Sequence, residues 1–247
     1  GVCFLLNTIS FIPVIMALVM MQMPPRQPKE RKSNPMQELQ AGVRYAFGFM
    51  PIRSLLLLLA VLSMLMGVFQ TLLPVFTKEV YGGGPKTLGF LLSFSGLGAL
   101  GGAFWLAGRK TVVGLGRHVA VASATAGASM MVFAVLTSEH AAAVASLLSG
   151  LGMILGIGGS NIILQSIVDE DKRGRVMSLY GMALVGMSPV GSFVAGVLAT
   201  HVGIVGTLVW TSLASLLCAF LFWFGLPHFR ARIRPIYIQK GFIIPEA

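Results

Sequence analysis

Long stretches without a single Lys, Arg, Asp or Glu recur along this chain, and short basic clusters separate them. The uncharged runs cover 1 to 25, 54 to 77, 87 to 108, 118 to 138, 140 to 168 and 176 to 229. A helix of about 20 apolar residues crosses about 30 Å of hydrocarbon. Each run therefore reads as at least one membrane crossing, and the chain as an all-α, polytopic helical membrane protein. The last run is too long for one crossing. Thr200, His201, Val202, Gly203 and Gly206 form a break that divides it in two, which gives seven expected spans.

The charges also have a side. Numbering the connections in order, alternate ones carry Arg26, Lys29, Arg31, Lys32, Arg44 and Arg53; then Arg109, Lys110 and Arg117; then Lys172, Arg173 and Arg175. The carboxyl-terminal segment adds Arg230, Arg232, Arg234 and Lys240. Only Lys78 and Lys86 fall on the opposite side, so 16 of the 18 cations share one compartment. The positive-inside bias assigns that compartment to the cytoplasm and puts Gly1 at the outer face. The formal net charge of +10 thus belongs to lipid headgroups and topology rather than to nucleic acid. The odd number of spans, and a first helix with no preceding polar segment, lead us to expect further sequence upstream of Gly1. A signal peptide does not fit residues 1 to 23, whose basic flank lies on the wrong end.

The expected organisation is a peripheral transmembrane helix over 1 to 23, a linker over 24 to 53, a six-helix bundle over 54 to 227 and a basic cytoplasmic tail over 228 to 247. Prolines and charge make 24 to 35 an extended linker. Asn34 can then cap a helix with Pro35 at its first position. Met36, Leu39, Val43, Ala46, Phe47 and Met50 recur on that helix as one apolar stripe.

Catalysis and cofactor binding find little to stand on. The acids lie in loops and tails, and His118, His140, His201 and His228 sit near span ends without ligand spacing. Cys3 and Cys218 have no metal-ligand spacing and read as buried apolar residues. Neither an enzyme nor a metal or cofactor site is therefore expected. Gly96, Gly98 and Gly101 spell a dinucleotide fingerprint, but in the middle of an apolar span rather than at a strand-to-helix turn. Gly98 with Gly102, and Gly152 with Gly156, read instead as small-residue pairs for close helix packing.

The polar residues within spans are uncharged: Asn7, Ser63, Gln70, Thr71, Thr125, Ser160, Asn161, Gln165 and Ser166. Asn161 and Gln165, four apart, share a helix face, where they line a wet cavity or bond a neighbouring helix. Pro74 and Pro189 interrupt their spans, and Gly181, Gly186, Gly191 and Gly196 surround the second as an expected point of bending. Asp169 to Tyr180, DEDKRGRVMSLY, is a turn entering a helix. Its acids, Asp169, Glu170 and Asp171, suit the helix N-terminus, with Arg173 and Arg175 available to pair with them.

That string resembles the major facilitator superfamily, in particular the bacterial drug and siderophore exporters whose second half carries R-G-R-V-M-S-L-Y before the eleventh helix. ELQAGVRY, Glu38 to Tyr45, with Pro51 and Arg53, extends the resemblance, as does LLPVF, Leu72 to Phe76. It implies the sixth helix, the central linker and helices seven to twelve of a secondary transporter, with an amino-terminal half and a small-molecule substrate as partners besides membrane lipid. It further implies an inner-membrane location, Gln70, Asn161 and Gln165 in a substrate cavity, and Arg117, Asp169, Asp171, Arg173, Gly174 and Arg175 in cytoplasmic gate loops. Gly114 to Arg117 match the end of the superfamily's loop motif between helices eight and nine, but Val113 stands where an Asp is expected. The competing readings are a seven-helix receptor, a membrane-embedded enzyme and a non-transporting scaffold. No Schiff-base lysine lies in residues 203 to 227, and no ionisable pair lies within a span.

Overall fold

A computed structural model describes residues 2–21 and 35–242. Among them every regular element is helical: α1 (Val2–Met20), α2 (Pro35–Gly48), α3 (Met50–Glu79), α4 (Pro85–Ala107), α5 (Leu115–Val135), α6 (Glu139–Ile167), α7 (Glu170–Gly181), a π-helical turn (Met182–Gly186) and α8 (Met187–Gln239). Without water, a peptide group in hydrocarbon must find its partner inside the protein, and a helix satisfies each one locally. Among the described residues five helices are long and apolar enough to cross a membrane: α3, α4, α5, α6 and the continuous stretch Glu170–Gln239. That stretch spans 70 residues, far more than one crossing needs. Gly203, with φ +73° and ψ 172°, breaks it inside the segment where the sequence led us to expect a division.

The chain falls into two compact units, Gly1–Glu38 and Leu39–Ala247. In the first, α1 is free of charged residues and carries Pro13 within it. Its described side chains, Ile9, Phe11, Val19 and Met20 among them, are exposed. The apolar stretch described there, Asn7–Met20, is shorter than the five crossing helices. Of the residues 24 to 35 expected to form an extended linker, 24 to 34 lie outside the described residues, and Pro35 begins α2.

In the second unit α3 packs chiefly along α8, while α6 packs along both α4 and α5, and α5 also meets α8. Two apolar cores lie end to end. One gathers Ile52, Leu55, Leu59, Leu115, Ile167 and Phe229 at the basic end, and the other Leu65, Phe69, Phe76, Phe133 and Leu208 at the far end. Phe133 is the hub of the latter, edge-on to Phe69 at 5.4 Å and to Tyr81 at 6.2 Å, and tilted on Phe76 at 5.5 Å. Tyr81 then donates its hydroxyl to the Leu136 carbonyl at 3.1 Å, tying the end of α3 to the end of α5.

Lipid tails are as apolar as leucine, so burial alone does not hold helices together in a bilayer and close packing must. A side chain at Gly67 would strike the Ser188 backbone, and one at Gly191 the Met64 backbone, so α3 and α8 touch main chain to main chain. α4 and α6 make the same kind of contact, Gly98 against Leu147 and Gly150 against Ser95, with Gly102 beneath Ile154. Gly152 lies against Ala122 of α5, and Gly156 lies between Leu62 of α3 and Ser123 of α5. Gly181, Gly186 and Gly196 face open space instead.

Two expectations gain detail. Pro189 interrupts its span without ending the helix. Lacking an N–H for the carbonyl four residues back, it follows the wider π turn Met182–Gly186, through which the helix continues. Nor does a separate tail begin at residue 228. α8 runs on to Gln239 because Phe229, Ile233 and Tyr237 repeat every four residues and are all buried, despite Pro235 among them.

Replacing Gly67 or Gly191 by Ala is expected to lower stability by about 1–3 kcal/mol through main-chain overlap. Gly96→Ala, whose new methyl meets nothing within 4 Å, should be neutral or stabilise by up to about 1 kcal/mol. Thermal unfolding in detergent, followed by circular dichroism, checks the contrast.

Candidate functional site: an amide relay and the turn it meets

Asn161 and Gln165 lie on one face of α6, both half-buried. The Gln165 amide nitrogen donates to the Asn161 side-chain oxygen. The Gln165 oxygen in turn accepts from the Arg173 guanidinium at 2.6 Å. A continuous polar chain thus runs from within α6, past its end, to α7. Because a helical side chain leans toward the N-terminus of its own helix, Arg173 reaches back over the turn toward α6 rather than onward. Most hydroxyls among the candidate span residues are saturated locally: Ser160 donates to the Gly156 carbonyl, Thr71 to Gly67 and Thr125 to Val121. The two amides therefore carry most of the recognition chemistry on this part of α6.

Asp169 stands at the N-cap of α7 with Glu170 and Asp171 in the first turn, where the helix dipole favours them. The expected partners change, however. Lys172 pairs with Asp169 at 3.3 Å, Arg173 is taken by Gln165, and Arg175 packs against α2. Spacing along one helix allowed the arginine pairings, but it could not reveal a competing amide eight residues upstream.

α2 rests on this same turn. Gly42 lies so near Arg175 that a side chain there would come within 3.2 Å of the Arg175 Cβ. Tyr45 donates its hydroxyl to Asp169 at 3.4 Å, and the Lys172 ammonium sits 4.6 Å from the Tyr45 ring centre. Burial, together with the Asp169 carboxylate, pushes the Tyr45 phenol above its ordinary pKa, which keeps it a donor. The hydrogen bond that Lys172 itself donates to Asp169 holds its ammonium above the ordinary lysine pKa. The face α2 turns inward is Gly42 and Ala46, not the whole apolar stripe read from the sequence, since Val43 and Phe47 are exposed. Glycine and alanine win that face because they allow α2 to approach α7 closely.

Other candidates lie apart. Gln70 and Pro74 are exposed on α3. α3 and α6 run antiparallel and meet where Leu62 touches Gly156. From that level Gln70 lies toward the far end of the bundle and Asn161 toward the basic end, about 20 Å apart along it at 1.5 Å per residue. Arg117, on the first turn of α5, lies over the Trp223 ring at 5.8 Å and is not brought to the Asp169–Arg175 turn. Gly174 is exposed with open space around it. Arg109 was passed over in the sequence although it organises the loop between α4 and α5. It donates to the carbonyls of Thr111 at 2.8 Å and Val113 at 2.7 Å and lies over Trp105 at 5.3 Å. With Val in place of the superfamily's Asp, backbone carbonyls serve as the acceptors of this loop. Among the described residues no group of three His, Cys, Asp or Glu is placed to hold a metal ion.

A helical bundle with small-residue contacts and a polar relay in one span defines a polytopic helical membrane protein, and comparison with protein families narrows the class. A family model described as transmembrane secretion effector matches residues 1–236, and the chain belongs to that family, a major-facilitator type of transporter. No curated protein matches the chain.

The Gln165–Arg173 link predicts a coupling of about 0.5–1 kcal/mol, below the usual value for a charged hydrogen bond because the arginine is exposed. A double-mutant cycle of Gln165→Ala and Arg173→Ala, read by thermal unfolding, measures it.

Proposed function

We propose that this chain is the carboxyl-terminal half of a secondary active transporter that exports small hydrophobic or amphiphilic molecules of drug or siderophore type. It works by alternating access in a bacterial inner membrane, with its carboxyl terminus in the cytoplasm. An amino-terminal half supplies the opposite wall of the cavity, and the two bundles rock about a site between them. Seven spans, the first of them α1, fit this arrangement.

One observation carries the reading: the hydrogen-bonded chain Asn161–Gln165–Arg173. Amides inside an otherwise apolar span recognise polar atoms on a largely apolar substrate. Their far end is the turn on which α2 rests, so substrate contact at Asn161 would alter the hydrogen bonding of Arg173 at the gate. Export of uncharged or amphiphilic cargo also suits spans without a buried carboxylate, while a proton-coupling acid would then belong to the other half.

In the intact transporter, Asn161→Ala with Gln165→Ala should lower transport of at least one substrate about tenfold, a transition-state difference of about 1.4 kcal/mol, and change the substrate range. Unchanged flux for a panel of amphiphilic dyes in everted vesicles would remove the cavity assignment.

The sidedness has its own test. Cysteines placed at Arg109 and Arg173 should react with an impermeant thiol reagent from the same side of the membrane. Labelling from opposite sides would overturn the topology.

A further inference from the structure

We infer that a cleft at the basic end of the bundle, beside α8, binds the phosphate headgroup of an anionic phospholipid. The cleft has a volume of about 460 Å³ and is walled by Val112, Val113, Ile163, Phe229, Ile233 and Tyr237, with Arg230 and Arg234 at its edge. Ile163 is two residues from both Asn161 and Gln165, so at 100° per residue it faces the opposite side of α6. The cleft is therefore separate from the amide relay.

Its frame is built from several elements. Lys240 donates to the carbonyls of Ser166 at 2.9 Å and Val168 at 3.1 Å, which fastens the end of α8 over the end of α6. The Tyr237 hydroxyl lies 3.4 Å from that of Ser166. Gly116 on α5 allows Leu226 and Phe229 to close in from the other side.

The charge on this frame is uncompensated. Neither Arg230 nor Arg234 has an ion-pair or hydrogen-bond partner among the described residues, and both are exposed. A second cleft of about 230 Å³, lined by Arg117, Trp223, Leu226 and Pro227, adjoins the first and shares Arg230 with it. Two guanidiniums, of Arg117 and Arg230, thus share a cleft with Trp223, and that of Arg234 lies in the adjoining one.

The position along α8 selects a lipid over a soluble anion. Past the break at Gly203, about 20 residues cross the hydrocarbon, which brings the far edge of the bilayer near Phe224. Arg230 and Arg234 follow within the next ten residues. Their stems lean back toward the helix N-terminus, so their heads return toward the headgroup layer. Trp223 sits at the level where interfacial tryptophans gather. Below it Phe220, Leu221 and Phe224 are exposed and offer acyl chains an apolar flank. Guanidinium forks match phosphate oxygens in pairs, and basic pockets beside transmembrane helices favour anionic over zwitterionic headgroups.

The test uses the full chain with Trp105→Phe and Trp210→Phe, leaving Trp223 as the single fluorophore, reconstituted in phosphatidylcholine vesicles. Brominated phosphatidylglycerol is expected to quench Trp223 more strongly than brominated phosphatidylcholine at equal mole fraction, and the preference should fall about fivefold per arginine in Arg230→Gln and Arg234→Gln. Arg230→Lys with Arg234→Lys keeps the charge and should retain most of it, which separates a headgroup site from general loss of folding. Soluble glycerol phosphate should not relieve the quenching. Equal quenching by the two lipids, or a preference that survives the double Gln substitution, would mean that these arginines only orient the helix. Relief by glycerol phosphate would mean a free-anion site and would equally overturn the lipid assignment.

Discussion

Main-chain contact between helices is the interaction on which this structure depends. A bilayer supplies no drive to pair two apolar helices, so their association rests on dispersion, a few hydrogen bonds and the closeness of approach. Gly67 against Ser188, Gly191 against Met64, Gly98 against Leu147 and Gly150 against Ser95 provide that closeness in reciprocal pairs. Each helix of a pair gives up side chains at the level where its partner's backbone arrives. The arrangement fixes both the distance and the axial register of α3 with α8 and of α4 with α6. Every polar feature inherits its position from those registers, including the separation of Gln70 from the amide pair.

The second constraint operates at the ends of the spans, where water returns and charge becomes affordable. Lys172, Arg173 and Arg175 are close neighbours in sequence, yet each is committed to a different partner: Asp169, Gln165 and the face of Gly42. One short turn thereby joins the interior of α6, the start of α7 and the linker helix α2. Motion of any one of the three is felt by the others through contacts of modest strength.

Much of the fold was readable in the sequence because the bilayer imposes a simple rule on charge. The uncharged runs mark α3 to α6, and the Gly203 break was visible from local composition. That Asn161 and Gln165 share a face followed from their spacing, though their bond to each other did not. What escaped the sequence depends on relations between elements. The inward face of α2 is chosen by closeness to Arg175, so Gly42 and Ala46 prevail over bulkier Val43 and Phe47. Arg173 turns to an amide on another helix, and Gln70 belongs to a different depth. The extension of α8 had a signal, Phe229, Ile233 and Tyr237 at four-residue intervals. Its arginines concealed it by marking residue 228 as the start of a basic tail.

The continuity of α8 beyond Gly203 also has a mechanical meaning. From Ile204 to Gln239 the helix is about 54 Å long at 1.5 Å per residue, and its non-helical joint lies at the end remote from the arginines. Helices longer than the local hydrocarbon thickness lean to bury their apolar length. A lean of about 10° about Gly203 would sweep the distant end sideways by about 9 Å over that length. Lys240 fastens that end to α6, so bilayer thinning or thickening would load the contact between α8 and α6 rather than leave the limb free to swing.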